Sequence, residues 1–276
     1  MAMVINTNMS SINAARILDG TQKEQSTSME RLTSGLRINK AADDAAGLAV
    51  ATGMTTQIRG TDQAMRNAND GMALLQTVDG ATEEVVNMLQ RMRELAVQSM
   101  NGTYNADNRT QMDAEYQQLA TEIDRVAETT KFNETPLMNA SASNDGPVVL
   151  HVGWETDADN KISITLINFA ALSAATAGQV LTVSNAESAI GMIDTNLATI
   201  KEQRANWGAL QNRLDYTVSN LANVNENMNG ARSQIQDADY ARESAQLARV
   251  QVLQQAGMAM LGQGNQQSQN VLSLLR

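Results

Sequence analysis

His151 is the one histidine in the chain, and cysteine is absent. A zinc site needs several imidazole or thiolate ligands, and a hydrolytic triad needs a histidine between a nucleophile and a carboxylate. Neither can be built around a lone imidazole inside the β-branched run "VVLHV". His151 therefore reads as a packed or solvated strand residue. "DADNK", Asp157 to Lys161, has an acidic start like a calcium loop but lacks its glycine and distal glutamate, so it reads as a solvated turn. Asp43–Asp44 and Glu83–Glu84 are adjacent carboxylates of the kind used in acid/base work. Helix neighbours do not face each other, and these read as solvated faces. "GQG" at 262–264 lacks the rest of a phosphate loop, and no "HExxH" metalloprotease helix occurs. The expectation is a non-enzyme without catalytic, metal or cofactor-binding residues.

The remaining composition narrows the class further. A net charge of −10 offers no basic stripe, so no nucleic-acid partner is expected. No apolar run approaches the ~18 residues of a membrane span. The opening "MAMVINTNMSSINAARILDG" lacks the basic start and apolar middle of a cleavable signal, so an exported chain is expected to keep its N-terminus. Without cysteine it would cross reducing and oxidising compartments unchanged. Aromatic residues make up only 3% of the chain while methionine occurs 16 times, so small and flexible side chains must do the packing.

Both prolines, Pro136 and Pro147, fall in one central stretch, which leaves long flanks free of the strongest helix breaker. In residues 71–100, Leu74, Val78, Ala81, Val85, Met88, Met92 and Leu95 recur at alternating steps of four and three, the seam of a helix facing another helix. After "NGTYNADN", Met112, Tyr116, Leu119, Ile123 and Val126 mark a second helix. "VVLHV" and "KISITLI" around "GWETDADN" predict a β-hairpin. From Asn185 helix returns, with Ile190, Ile193, Leu197, Ile200, Leu214, Leu221, Met228 and Ile235 in step. The fold class is mainly α: long antiparallel helices with a small β-hairpin insert.

The two ends share one property. Val4, Ile5, Met9, Ile12, Ile17 and Leu18 at the start, and Leu247, Val250, Leu253, Met260 and Leu261 near the finish, each form an apolar helix face that needs cover. The closing "QNVLSLLR" crowds Val271, Leu272, Leu274 and Leu275 into six positions. Pairing the ends is the economical solution, and leftover apolar surface would drive self-association.

Four long motifs, "MERLTSGLRINKAADDAAGLA", "LQRMRELAVQS", "DYARESAQLARVQVLQQAGMAML" and "QNVLSLLR", together resemble bacterial flagellin over roughly the first 135 and last 90 residues. The resemblance implies an inner D0 layer from helices in 1–44 and 236–276. It implies a D1 layer from 45–140 and 185–235, with 141–184 as the hairpin insert and no room for D2 or D3. Val4, Ile5, Ile12, Leu18, Leu253, Leu261, Val271, Leu272, Leu274 and Leu275 would then serve self-assembly, the terminal helices ordering only when many subunits stack.

The implied partners are other copies of the chain, a flagellar secretion chaperone and the type III export apparatus, the hook-filament junction and filament cap proteins, and the flagellin-sensing Toll-like receptor of hosts. The implied location is the secreted, extracellular filament. By motif match, Gln90, Arg91, Leu95 and Glu115 fall where receptor-activating flagellins make contact. Leu95 lies on the apolar stripe but only about 40° from Arg91 on a straight helix, and is expected at an exposed edge. A hook-filament junction protein is the alternative from the same assembly. An intracellular coiled-coil adaptor would need seams unbroken through "TSGLRINKAADDAAG".

Overall fold

The computed structural model describes residues 7–138, 147–169 and 179–273, with side chains through Gln266. They form two compact units, one from 1–56 with 227–276 and the other from 57–226. Helices α2 (Ala45–Ser99) and α4 (Val183–Gln236) contribute to both.

The first unit is built on α1 (Met9–Ser34) and α5 (Tyr240–Ser273). Asn8 caps α1 by accepting a hydrogen bond from the Ser11 amide at 3.1 Å. Gly35, at φ 71°, ends it in the left-handed conformation that glycine adopts without strain, its amide donating to Arg31 O. The Asp239 carboxylate starts α5 by accepting from the amides of Ala241 and Arg242 at 3.0 and 3.2 Å.

The connection 35–44 is pinned to the α4–α5 joint. Leu36 and Asp237 form an antiparallel bridge, the Arg37 amide donates to Gln236 O at 2.7 Å, and the Ala238 amide donates to Gly35 O at 2.9 Å. Asp43 and Asp44, expected as solvated helix neighbours, stand in this loop instead. Asp43 accepts from the backbone of Asn39 and Lys40 at 3.1 and 2.9 Å, which holds its carboxyl below the usual range. Asp44 accepts from the Gly47 amide at 2.9 Å and so caps α2. Short carboxylates satisfy free backbone donors better than they extend a helix, and that preference decides their place.

In the second unit α2, α3 (Ala106–Thr129) and α4 enclose the core. Five residues of the expected stripe on α2, Leu74, Val78, Val85, Met92 and Leu95, are buried, and the covered face is wider than that stripe. Leu75, Val78, Thr82, Val85, Leu89, Met92, Ala96 and Ser99 are fully buried, whereas Ala81 and Met88 are only half-buried. Thr82 fills a seam position because its hydroxyl donates to Val78 O at 2.6 Å, so burial leaves no polar group unpaired. On α3 the buried set is Met112, Tyr116, Ala120, Ile123 and Ala127. Trp207 of α4, outside the expected stripe, is completely buried and donates its indole N–H to Thr165 O at 2.9 Å.

Two hairpins complete this unit. β1 (Lys131–Phe132) and β2 (Thr135–Pro136) pair around Asn133 and Glu134, both at positive φ. No Asn-Gly signal announces that turn. β3 (Val148–His151) and β4 (Lys161–Ile164) are antiparallel with Val148 opposite Ile164 and His151 opposite Lys161, as the alternation predicts. Gly60, Asn67 and Gly71 bring this hairpin against α2. A Cβ on Gly71 would meet Leu150 Cδ1 at 2.0 Å, and the Asn67 amide donates to His151 O at 2.9 Å.

Candidate self-assembly surface

Helices α1 and α5 run antiparallel. At one end Asn8 Nδ2 donates to Gly264 O at 3.0 Å and the Ser11 hydroxyl to Asn265 Oδ1 at 3.1 Å; at the other, Arg31 meets Glu243 at 3.1 Å. Between these clasps the covered positions of α1 are Ser11, Ala14, Leu18, Thr21, Gln25 and Ser28, in alternating steps of three and four. Those of α5 are Glu243, Leu247, Val250, Gln254, Gly257, Leu261 and Gly264, with the same alternation, and Gln246 is half-buried beside them. Both are heptad seams, but made largely of small and polar residues.

The two ends pair as expected, but among the described residues only Leu18, Leu247, Val250 and Leu261 of the expected apolar set enter the seam. Met9, Ile12, Ile17 and Met29 on α1, and Val252, Leu253, Met258 and Met260 on α5, remain exposed. Small residues win the seam because they let two backbones approach closely. Leu18 Cδ1 lies 3.5 Å from where a Cβ on Gly257 would stand. Thr21 is buried with its hydroxyl donating to Ile17 O at 2.8 Å.

Of the ten assembly candidates, Ile12 and Leu253 thus point outward, while Leu18 and Leu261 lie half-buried in the seam. Val4, Ile5, Leu274 and Leu275 fall outside the described residues. Val271 and Leu272 continue α5 as backbone.

A second cluster lies where α2, α3 and α4 meet in the other unit. Arg91 bridges Glu115 of α3 at 2.9 Å and Glu94 at 3.0 Å, with about half of each side chain of the Arg91–Glu115 pair exposed. The Glu115 and then the Glu94 hydrogen bonds raise the Arg91 pKa. Arg93 reaches the opposite way to Asp194 of α4 at 2.7 Å, and this hydrogen bond lowers the Asp194 pKa. Gln90, Arg91 and Glu115 are exposed. Leu95, expected at an exposed edge, is 2% exposed.

The cause is geometric. With Arg91 at 0° and Arg93 at about 200°, Leu95, Ser99, Met92, Ala96 and Leu89 fall at about 40°, 80°, 100°, 140° and 160°. All lie on the arc roofed by α3 on one side and α4 on the other. Nearby, burial and then the charge of Asp113 push the Tyr116 phenol up to about 12.

Sequence reasoning missed another joint. Val180 is gripped by its amide, which donates to Asp113 Oδ1 at 2.7 Å, and by its carbonyl, which accepts from the Ser99 hydroxyl. Ser99, one step past the last expected seam residue, was the available signal. Among the described residues no group of acidic or histidine side chains is placed to hold a metal ion, and no helix is long and apolar enough to cross a membrane.

The model of the bacterial flagellin N-terminal helical region matches residues 5–143, and that of the C-terminal helical region matches 190–275. A flagellin of Halalkalibacterium halodurans is 45% identical over 275 residues, which cover 99% of this chain and all of that protein. The flagellar filament 33 kDa core protein of Treponema phagedenis is 41% identical over 286 aligned positions, with 99% and 100% coverage. The crystal structure of Bacillus cereus flagellin superposes with a TM-score of 0.51 at 34% identity, covering 56% of this chain and 88% of that one.

Proposed function

The chain belongs to the bacterial flagellin family and is a structural subunit of the flagellar filament, and we propose that the outward apolar face of its α1–α5 pair is what joins one copy to the next. One observation carries this reading: the two helices satisfy each other through small and polar residues with Leu18, Leu247, Val250 and Leu261 among them, and leave Ile12, Ile17, Leu253 and Met260 exposed. Burial of apolar surface is worth about 25 cal/mol per Å², so stacking further copies on this face is favourable where the isolated pair has nothing to offer it. Head-to-tail repetition of one such contact gives an open helical polymer.

In this reading 1–44 and 236–276 form the inner D0 layer, while 45–140 and 185–235, with the 141–184 insert, form D1. Support comes from the compact unit that joins the first 56 residues to the last 50. The subunit works without catalysis or cofactor. It leaves the cell through the type III export apparatus with a secretion chaperone on its apolar terminal faces, and its filament is extracellular, between junction and cap proteins. The relatives named above are flagellins or a flagellar filament core protein by name, which favours the filament over the junction role.

A second reading concerns the Arg91 cluster. Gln90, Arg91 and Glu115 form an exposed, ion-paired patch at the place where receptor-activating flagellins are contacted, and in our reading this patch meets the flagellin-sensing Toll-like receptor. Leu95 supports it from beneath.

Deleting Gln269–Arg276 tests the assembly reading. The truncated chain is expected to stay folded by circular dichroism and to form no filaments by electron microscopy. Filaments of unchanged length and stability would overturn the role of the terminal helices.

A further inference from the structure

Every exposed methionine among the described residues lies in the first unit. Met9, Met29, Met258 and Met260 are 65%, 49%, 54% and 65% exposed, and all four lie on α1 or α5. Met92, Met112 and Met138 are buried, and every other described methionine is half-buried. No exposed methionine lies elsewhere among the described residues.

A thioether is a soft apolar group that adapts to irregular packing surfaces, and it is also the side chain that mild peroxides oxidise most readily after a thiol. Here there is no thiol to compete. All four methionines share α1 and α5 with the exposed Ile12, Ile17, Val252 and Leu253, the outward side chains read above as the joint between copies.

We propose that these four methionines are a modification site for hydroperoxides and act as an oxidation gate on assembly. Hydrogen peroxide transfers one oxygen to each sulfur: the O–O bond breaks, an S=O bond forms, the thioether is oxidised and the peroxide is reduced to water. The product is a polar, chiral sulfoxide in the middle of an apolar contact surface, which retains its water when the next copy docks. In the free subunit the sulfurs are open to solvent. Once copies stack on this face the same sulfurs are covered, so subunits are sensitive before incorporation and resistant after it. The gate rests on the assembly reading given above.

The test uses the full chain, as free subunits and as filaments, exposed to hydrogen peroxide and mapped by peptide mass spectrometry. In free subunits oxygen is expected at Met9, Met29, Met258 and Met260 before Met54, Met72 or Met192, and in filaments the four are expected to react at least about tenfold more slowly. Oxidised subunits are expected to need at least about tenfold higher concentration to polymerise, and methionine sulfoxide reductase should restore them. A variant with leucine at all four positions, compared with itself before and after peroxide, should show no change in the concentration at which it polymerises. Normal assembly of subunits oxidised at these four sites, equal reactivity in filaments, or persistent peroxide sensitivity of the leucine variant would overturn the gate while leaving the assembly reading intact. Untreated chain that stays monomeric under polymerising conditions would overturn both.

Discussion

The same heptad spacing is used in two opposite ways in this molecule. Between α2, α3 and α4 the seam positions hold Leu75, Leu89, Met92, Ile123, Ile193 and Trp207, and burial there is complete within one chain. Between α1 and α5 the seam mixes Ser11, Ala14, Thr21, Ser28 and Gly257 with Leu18, Leu247, Val250 and Leu261, while Ile12, Ile17, Leu253 and Met260 stand outside. Spacing alone therefore tells that a helix has a partner, while residue size at the seam tells whether the apolar surface is spent inside the subunit or kept for a neighbour.

The sharpest way to break that contrast is to truncate side chains on both sides of it. Trp207→Ala and Leu89→Ala should each lower the stability of the free subunit by about 3–5 kcal/mol, read as a shift of the urea midpoint by circular dichroism. Leu95→Ala belongs with them, at about 2–4 kcal/mol, because its side chain is inside. Ile12→Asp and Leu253→Asp should move the same midpoint by less than about 0.5 kcal/mol yet abolish filaments. Equal destabilisation by both sets would mean that the outward face is packed within the subunit.

How much of this was visible in the residues follows from the same contrast. The long helices, the hairpin of "VVLHV" and "KISITLI" and the role in a polymer were legible, since proline placement, alternation and motif order all speak directly. Where apolarity served as the only guide to a seam, the reading slipped. Thr82 and Ser99 are seam residues that satisfy their hydroxyls on Val78 O and Val180 O, so their polarity disguised them. In α1 and α5 the disguise is partial: Leu18, Leu247, Val250 and Leu261 were legible, but Ser11, Thr21, Gly257 and Gly264 share the seam with them. Leu95 was misplaced for another cause: the angular drift is right, but a third helix covers the edge that a two-helix picture leaves open.

Adding a single methyl group at a glycine probes the two regions next. Gly71→Ala would bring its Cβ into Leu150 Cδ1, so the Leu150 side chain or the strand that carries it must move, at about 1–3 kcal/mol in the urea midpoint. Gly257→Ala would meet only Leu18 Cδ1 at 3.5 Å, an ordinary contact, and should be neutral or stabilising by up to about 1 kcal/mol through helix propensity. A large loss at Gly257 would show that the terminal seam is as tightly packed as the hairpin contact.

Titration separates buried from loop interactions. The Tyr116 phenol is pushed up to about 12, above its unfolded value near 10, so the stability it contributes is intact below pH ~10 and is lost as pH rises toward 12. Asp43 and Asp194 are shifted the other way, by backbone hydrogen bonds from Lys40 and Asn39 and by Arg93 respectively. Their contribution is present above pH ~4 and is lost below it. Tyr116→Phe should flatten only the alkaline limb of a stability profile measured from pH 3 to 12. Loss of the acid limb in the same variant would contradict the assignment.

The smallest effect on folding is expected at the Arg91 cluster. The Arg91–Glu115 and Arg91–Glu94 pairs are half-exposed, and solvent-exposed ion pairs are worth ~0–1 kcal/mol and are screened by salt. Arg91→Ala should therefore leave the urea midpoint almost unchanged, with whatever loss remains disappearing in high salt. The same substitution removes the positive centre of the exposed patch, so subunits that fold normally should signal weakly in a reporter assay for the flagellin-sensing receptor. Leu95→Ala gives the complementary outcome: its signalling loss should track its lost stability, and recover when the assay is run cold enough to refill the folded state. If Arg91→Ala signals at full potency while folded Leu95→Ala does not, the contact is made by a surface that Leu95 shapes rather than by the ion-paired patch, and the exposed α2–α3 edge is the wrong place for it.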